Sequence, residues 1–167
     1  MRIGILSDTH GKSKRLTKAL DMLALRGAEV LVHCGDVLEA GDVTQLGGFP
    51  GPAYLTAGNM DRHGMRSLAE AARAACVHFA ADFLAVELGD GRHLAVTHGH
   101  HETLLEELIR GGQYAYVCHG HSHRRRDERF GPTRVLNPGA LYHPRGRDGE
   151  TILLLDVHAD AAEFLRL

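Results

Sequence analysis

Side chains able to ligate a metal recur in this sequence in five short clusters, each directly after an apolar run. They read Asp8-Thr9-His10-Gly11, His33-Cys34-Gly35-Asp36, Gly58-Asn59-Met60-Asp61, Thr97-His98-Gly99-His100 and Cys118-His119-Gly120-His121-Ser122-His123. Two Asp, one Asn and several His make a nitrogen and oxygen shell without thiolate. Such a shell suits Mn, Fe, Zn, Co or Ni and argues against Cu(I) or an iron–sulfur cluster. Each cluster alone has an ordinary explanation. Asp-x-His after a strand is usually a turn or a helix cap, Gly-Asn is a turn pair, and two histidines about a glycine can face solvent. Five together are a different matter, because acceptors gathered at one sheet edge repel each other unless a cation joins them. Seven candidate ligands exceed the roughly three protein ligands of one catalytic zinc. Two ions sharing a carboxylate use seven comfortably, and such a pair, ~3.5–4 Å apart, clamps the attacking and leaving oxygens of a displacement at phosphorus.

The elements that must position these clusters follow from hydrophobic patterning. Apolar β-type runs at 1–6, 30–33 and 52–57 alternate with helical patterns: Leu16, Ala19, Leu20, Leu23 and Ala24 ahead of Gly27, a stretch around Val43 to Leu46, and the alanine-rich Leu68 to Ala75. The second half changes character. Short β-type runs follow one another at 83–88, 93–97, 114–118, 133–136 and 151–157, with one helix near Glu102 to Ile109 and a hairpin signal at Gly89-Asp90-Gly91. This predicts an α/β protein in which antiparallel pairing joins a parallel βαβ part, as one mixed sheet or two packed sheets. The clusters fall at strand ends, where loops of α/β sheets converge on a ligand. A single domain over residues 1–167 is expected, with no internal repeat or linker.

In this order the motifs resemble the calcineurin-like metallophosphoesterase superfamily: Asp8-Thr9-His10, Gly35-Asp36, Gly58-Asn59, His98-Gly99 and Gly120-His121-Ser122-His123. Asn137-Pro138-Gly139-Ala140 extends the likeness to the small bacterial and archaeal phosphodiesterases of that superfamily. The resemblance implies two mixed sheets packed face to face with helices outside, a four-layer αββα sandwich. It implies two divalent transition-metal ions, with manganese first among Mn, Fe, Zn, Co and Ni. One ion would be held by Asp8, His10, Asp36 and His123, the other by Asp36, Asn59, His98 and His121, with Asp36 bridging. The implied reaction is attack of a metal-bound hydroxide on small phosphodiesters or nucleotide-type esters, with Asn59 and His98 stabilising charge on the phosphoryl oxygens. Many members place His after Gly-Asn to protonate the leaving group; Met60 stands there in this chain, which predicts dependence on good leaving groups. His100 and His63 are candidate substitutes.

Several other features have plain structural readings. Ser7 and Cys34 are assigned to strand-end packing, His33 to the core or to support of the site, His119 to a strand end beside the ligands, and His78, His93, His143 and His158 to the surface. The run Arg124-Arg125-Arg126 has the chemistry to meet a substrate phosphate, but reads first as a solvated hairpin partly neutralised by Asp127 and Glu128. A formal charge of -2 and 44% hydrophobic residues describe a compact protein without a strong field for nucleic acid or an anionic membrane. Three cysteines without a Cys-x-x-Cys pair, and no apolar stretch long enough for a signal peptide or membrane span, predict a cytoplasmic protein. A small phosphodiester or nucleotide is the expected partner, extended nucleic acid is not, and homo-oligomerisation is left open. The alternative function is a non-catalytic metal-binding scaffold on the same fold.

Overall fold

A computed structural model describes residues 1–167. The elements run β1 (Arg2–Leu6), α1 (Ser13–Leu25), β2 (Val30–His33), α2 (Ala40–Gly47), β3 (Ala53–Thr56), a 3-10 turn (Asp61–His63), α3 (Met65–Ala74), β4 (His78–Ala80), β5 (Phe83–Gly89), β6 (Arg92–Thr97), α4 (Glu102–Arg110), β7 (Tyr116–Cys118), β8 (Arg125–Phe130), β9 (Thr133–Pro138), β10 (Thr151–Asp156) and β11 (Ala161–Arg166). They form two mixed sheets, one in the order β11-β10-β1-β2-β3-β4 and one in the order β5-β6-β7-β9-β8.

Period-2 alternation explains the layering. On β1 and β2, Ile3, Ile5, Val30 and Val32 face the second sheet, where they meet Val86, Leu94, Val96, Tyr116, Cys118 and Leu136. Their neighbours Leu6 and Leu31 face the other way, against Leu16, Ala19 and Leu23 of α1, Val43 and Leu46 of α2, and Leu68 and Ala72 of α3. A third, smaller core packs Ala95, Val117 and Val135 under Leu108 and Ile109 of α4. The result is the expected αββα order, with three helices on one side and one on the other. Both layers of the choice left open by patterning, one sheet or two, are thereby resolved in favour of two.

Three strands differ from expectation. β4 spans three residues and β11 is the outer strand beside β10, so neither carries a long apolar run. The third is β8, opened by Arg125 and Arg126: it pairs antiparallel with β9 across the Gly131-Pro132 turn, so the run lies in the solvated hairpin expected of it, as an edge strand. Its sequence Arg-Arg-Asp-Glu-Arg-Phe is almost wholly charged, which disguises it as a loop and also protects an open sheet edge.

Candidate metal centre

The loop after β1 carries Asp8 and His10, the loop after β2 carries Asp36, and the loop after β3 carries Asn59. The second sheet contributes His98 and His100 after β6, and His121 and His123 after β7. Backbone bonds zip the first two loops together: Asp8 N–H donates to Gly35 O at 3.0 Å and His10 N–H to Asp36 O at 2.9 Å. On the other sheet Gly120 N–H donates to His98 O at 3.0 Å. Bonds at the site also cross the seam between sheets, among them those from His98 Nδ1 to Cys34 O at 2.7 Å and from His121 N–H to Asp8 Oδ2 at 3.2 Å. The groups therefore meet where the strand ends of both sheets converge.

Two overlapping sets of ligand atoms result, Asp8 with His10 and His123, and Asp8 with Asp36 and His98. His123 Nε2 lies 3.2 Å from Asp8 Oδ1, and His10 Nε2 lies 3.6 Å from Asp36 Oδ2. The same Asp36 Oδ2 is 3.4 Å from His98 Nε2, which is 3.1 Å from Asn59 Oδ1. His121 stands with its ring edge against His98, centroids 5.1 Å apart. Asp36 thus faces imidazoles of both halves, while His121 adjoins the cluster through its ring contact with His98 and its backbone N–H, its imidazole belonging to neither ligand set.

The hydrogen-bond chemistry of this cluster fits a cation. His98 and His123 each spend Nδ1–H on a backbone carbonyl, of Cys34 and His143, which leaves Nε2 as the lone-pair atom pointing inward. Around His98, lone pairs of imidazole, carboxylate and carboxamide then point at one another, so a proton or a metal must lie among them. Asp8 Oδ1 and His10 Nε2 are buried without a hydrogen-bond partner, which is costly unless an ion satisfies them. Burial works against the charged form of His98, yet Asp36 and Asp8 lift its pKa above the ordinary value, and Asp8 does the same for His123. Burial also opposes charge on Asp36, but His98 and the Met60 N–H hold it below the usual carboxylate range. Burial lowers the pKa of His10 and of His121.

Backbone strain marks the same residues. Asp8, His10, Asp36, His121 and His123 all adopt φ between 47° and 62°. A non-glycine residue held there costs of order 1–3 kcal/mol and persists only where the surroundings enforce it. Close approach is enforced too: a Cβ on Gly58 would strike Asp36, and one on Gly120 would strike Ser7 and Asp8.

Two buried supports hold these loops; patterning missed the first and read the second as a turn with a supporting role near the site as its alternative. Asp61, buried in the 3-10 turn, accepts N–H bonds from Asp36 and Gly58 at 2.8 Å, Leu38 at 2.8 Å and Val37 at 3.3 Å, and so clamps the second and third loops together. Its place beside Gly-Asn was visible, but three of its four partners, Asp36, Val37 and Leu38, come from a distant loop. Asn137 donates through Nδ2 to Gly120 O at 2.7 Å and to Ser122 Oγ at 3.1 Å, and accepts from Gly139 N–H at 2.9 Å. That gives Asn-Pro-Gly a function, since it braces the turn carrying His121 and His123.

The remaining histidines sort themselves. His33 is fully buried, accepts from Gly35 N–H at Nδ1 and donates through Nε2 to Thr9 Oγ1 at 2.7 Å; burial takes its pKa down to about 4. His100 lies near His98 and His121, ring centroids at 5.4 and 6.2 Å, with its pKa lowered to about 4 by burial and then by the neighbouring imidazoles. His63 is exposed, as are His78, His143 and His158, while His93 is half-buried. Met60 is 53% exposed at the rim and offers no proton to a leaving group.

Comparison with known proteins agrees with this geometry. A family model described as the calcineurin-like phosphoesterase superfamily domain matches residues 1–160. A phosphodiesterase of Methanocaldococcus jannaschii is 32% identical over 145 residues, 83% of each chain. The solved structure of an archaeal phosphodiesterase superposes with TM-score 0.88 at 30% identity over the whole of both chains. The Escherichia coli phosphoesterase Yfce shares the fold, with TM-score 0.69 at 23% identity over 99% of both. The chain belongs to the calcineurin-like phosphoesterase superfamily.

Proposed function

We propose that this phosphoesterase is a dinuclear-metal phosphodiesterase of small or nucleotide-type diesters, with Asp8, His10, Asp36 and His123 holding one ion and Asp36, Asn59, His98 and His121 the other. The observation that carries the reading is the buried, unpartnered Asp8 Oδ1 and His10 Nε2 beside the close approach of Asp36 and His98, an arrangement a fold has no reason to build without cations. When bound, two divalent cations supply Lewis acidity, lowering the pKa of a water and neutralising charge on the phosphoryl oxygens. Residues 1–167 act as one domain in this reading, and manganese is the first metal to test.

The protein's own groups do the rest. The Cys34 and His143 carbonyls lock the His98 and His123 tautomers, so both rings present Nε2 before any substrate arrives. Asp61 keeps the Asp36 and Asn59 loops at fixed separation, which limits reorganisation during the reaction. Asn59 and His98, on opposite sheets yet 3.1 Å apart, are placed to meet the phosphoryl oxygens from two sides. Met60 supplies no proton at the position after Gly-Asn, and burial with the neighbouring imidazoles takes the His100 pKa down to about 4, which disfavours it as a proton donor.

The direct test is hydrolysis of bis(p-nitrophenyl) phosphate with and without added Mn, beside an Asp36→Asn variant. Metal-dependent turnover that the variant loses is expected; a folded, metal-loaded wild type without turnover would refute the enzyme reading in favour of a scaffold. Met60→His should narrow the gap between aryl and alkyl esters by about 10-fold or more, since general acid help is worth ~10²–10⁴-fold.

A further inference from the structure

Beside the metal centre, and sharing His123 with it, lies a cavity of about 270 Å³ whose wall is polar and charged apart from Pro144 and glycines. Arg124, Arg125 and Arg145 line it, and Asp148 is the one carboxylate. That carboxylate is already engaged, 2.6 Å from Arg125, whereas Arg124 and Arg145 form no ion pair. Thr151 is also spent, its hydroxyl donating to Pro138 O at 2.7 Å. The cavity is rigidly coupled to the proposed ligand: Arg145 N–H donates to His123 O at 2.8 Å, and His123 Nδ1–H donates to His143 O at 2.9 Å.

Chemistry narrows the occupant. Three guanidinium groups against one carboxylate match a phosphate group of charge about -1.5 to -2. Guanidinium forks suit phosphate oxygens and are weakly hydrated, so they give up water readily. The volume falls just below the ~300–1,000 Å³ usual for small-molecule pockets, room for one phosphate and its waters rather than for a base or a ring system. A phosphate here would be a second one, since the scissile group belongs among Asp8, Asp36 and His98.

We propose that this cavity seats a non-reacting phosphate of the substrate, so that the preferred ester carries a phosphomonoester besides the scissile diester; this rests on the phosphodiesterase reading. Arg124 and Arg145 bind that phosphate and set specificity, while Arg125 is held by Asp148. The Arg124–Arg126 run thereby divides into a substrate contact, a paired wall residue and Arg126, which pairs with Glu128.

The test compares thymidine 5'-(p-nitrophenyl phosphate) with its 3'-phosphorylated counterpart, two esters with the same leaving group, on the metal-loaded protein. The wild type should favour the 3'-phosphorylated ester about 10-fold in kcat/KM, the scale of two partly exposed charge-assisted contacts. That preference should shrink as salt screens the arginines. In an Arg124→Gln/Arg145→Gln double variant the ratio should fall close to one, whereas Lys12→Gln, whose ammonium lies outside the cavity and 4.6 Å from the Tyr142 ring centroid, should keep it. A wild-type ratio near one, a ratio retained in the double variant, or one abolished by Lys12→Gln overturns the proposal. If neither ester is hydrolysed, the phosphodiesterase reading fails instead. Equilibrium binding of thymidine 3'-phosphate then still reads the cavity: weakening by about 10-fold in the double variant supports it, and equal affinity overturns it.

Discussion

Two adjacent strand ends carry the same tripeptide, His98-Gly99-His100 after β6 and His119-Gly120-His121 after β7, yet their histidines exchange roles. In the first, the leading histidine faces Asp36 and the trailing one stands beside it. In the second, the leading histidine is buried away from the cluster, and the trailing one joins it. Register explains the exchange. β6 and β7 pair in parallel with Leu94 opposite Tyr116 and Val96 opposite Cys118, so His98 continues opposite Gly120 rather than His119. Leu94 and Val96 face the inter-sheet core, and His98 follows them on that face toward Cys34 O and Asp36. His119 follows Val117, which packs on the α4 side, and meets Arg126 at 3.5 Å instead. A one-residue offset moves a side chain to the opposite face of a sheet. Beyond the strands the turns differ as well: Gly99 takes φ +94°, whereas His121 itself takes the left-handed conformation in the second loop.

The largest expected effect breaks this symmetry outright. His98→Gln should lose about 10²–10³-fold in activity, as removal of one group stabilising a charged transition state does. It should also lose bound metal. His119→Gln should keep nearly full metal content by elemental analysis, and equal losses in both variants would contradict the facing argument. Applied to the trailing histidines, the same comparison reverses. His121→Gln should lose metal, and His100→Gln should retain it.

A second contrast is the pH dependence of stability in the metal-free protein. Burial, followed by the Arg126 charge, lowers the His119 pKa to about 4 from an unfolded value of 6.5. Its contribution is therefore complete above pH 6.5 and is lost as pH falls toward 4, up to about 3 kcal/mol. His98 has the opposite sign: its raised pKa makes its contribution complete below 6.5 and lost as pH rises through the folded value. Denaturant titrations at pH 5 and pH 7 should show His119→Gln losing less stability on acidification than wild type, and an identical loss would remove the buried-neutral assignment.

The smallest effect concerns the brace that only the second loop has. Asn137→Ala removes the donor to Gly120 O and Ser122 Oγ and should cost about 1–3 kcal/mol through unsatisfied buried groups. Metal retention should suffer at His121 and His123 before it does at His98. Thermal melts with and without metal would read both, and uniform loss across the two halves would deny Asn137 its local role.

The ligand-bearing loops were legible because each breaks an apolar run with donors that a core cannot tolerate, as Asp36 does after Val30–His33. β8 was not, because Arg125–Phe130 lacks any buried face to imprint alternation on it. β4 was too short, and β11, alternating but weakly apolar, borrows its order from β10. Asp61 escaped notice because a carboxylate beside Gly-Asn resembles a turn residue until its four N–H donors come together.

By itself the sequence determined the alternation of strands and helices, the donor chemistry at the strand ends, and membership of a family recognisable from motif order. Those properties are local, written in composition and spacing along the chain. Tertiary structure alone decided which histidine of each His-Gly-His pair turns toward the carboxylates, which loops Asp61 and Asn137 hold, and where Arg124 and Arg145 stand relative to His123. These depend on strand register and on the seam between two sheets, and neither is encoded within any one segment.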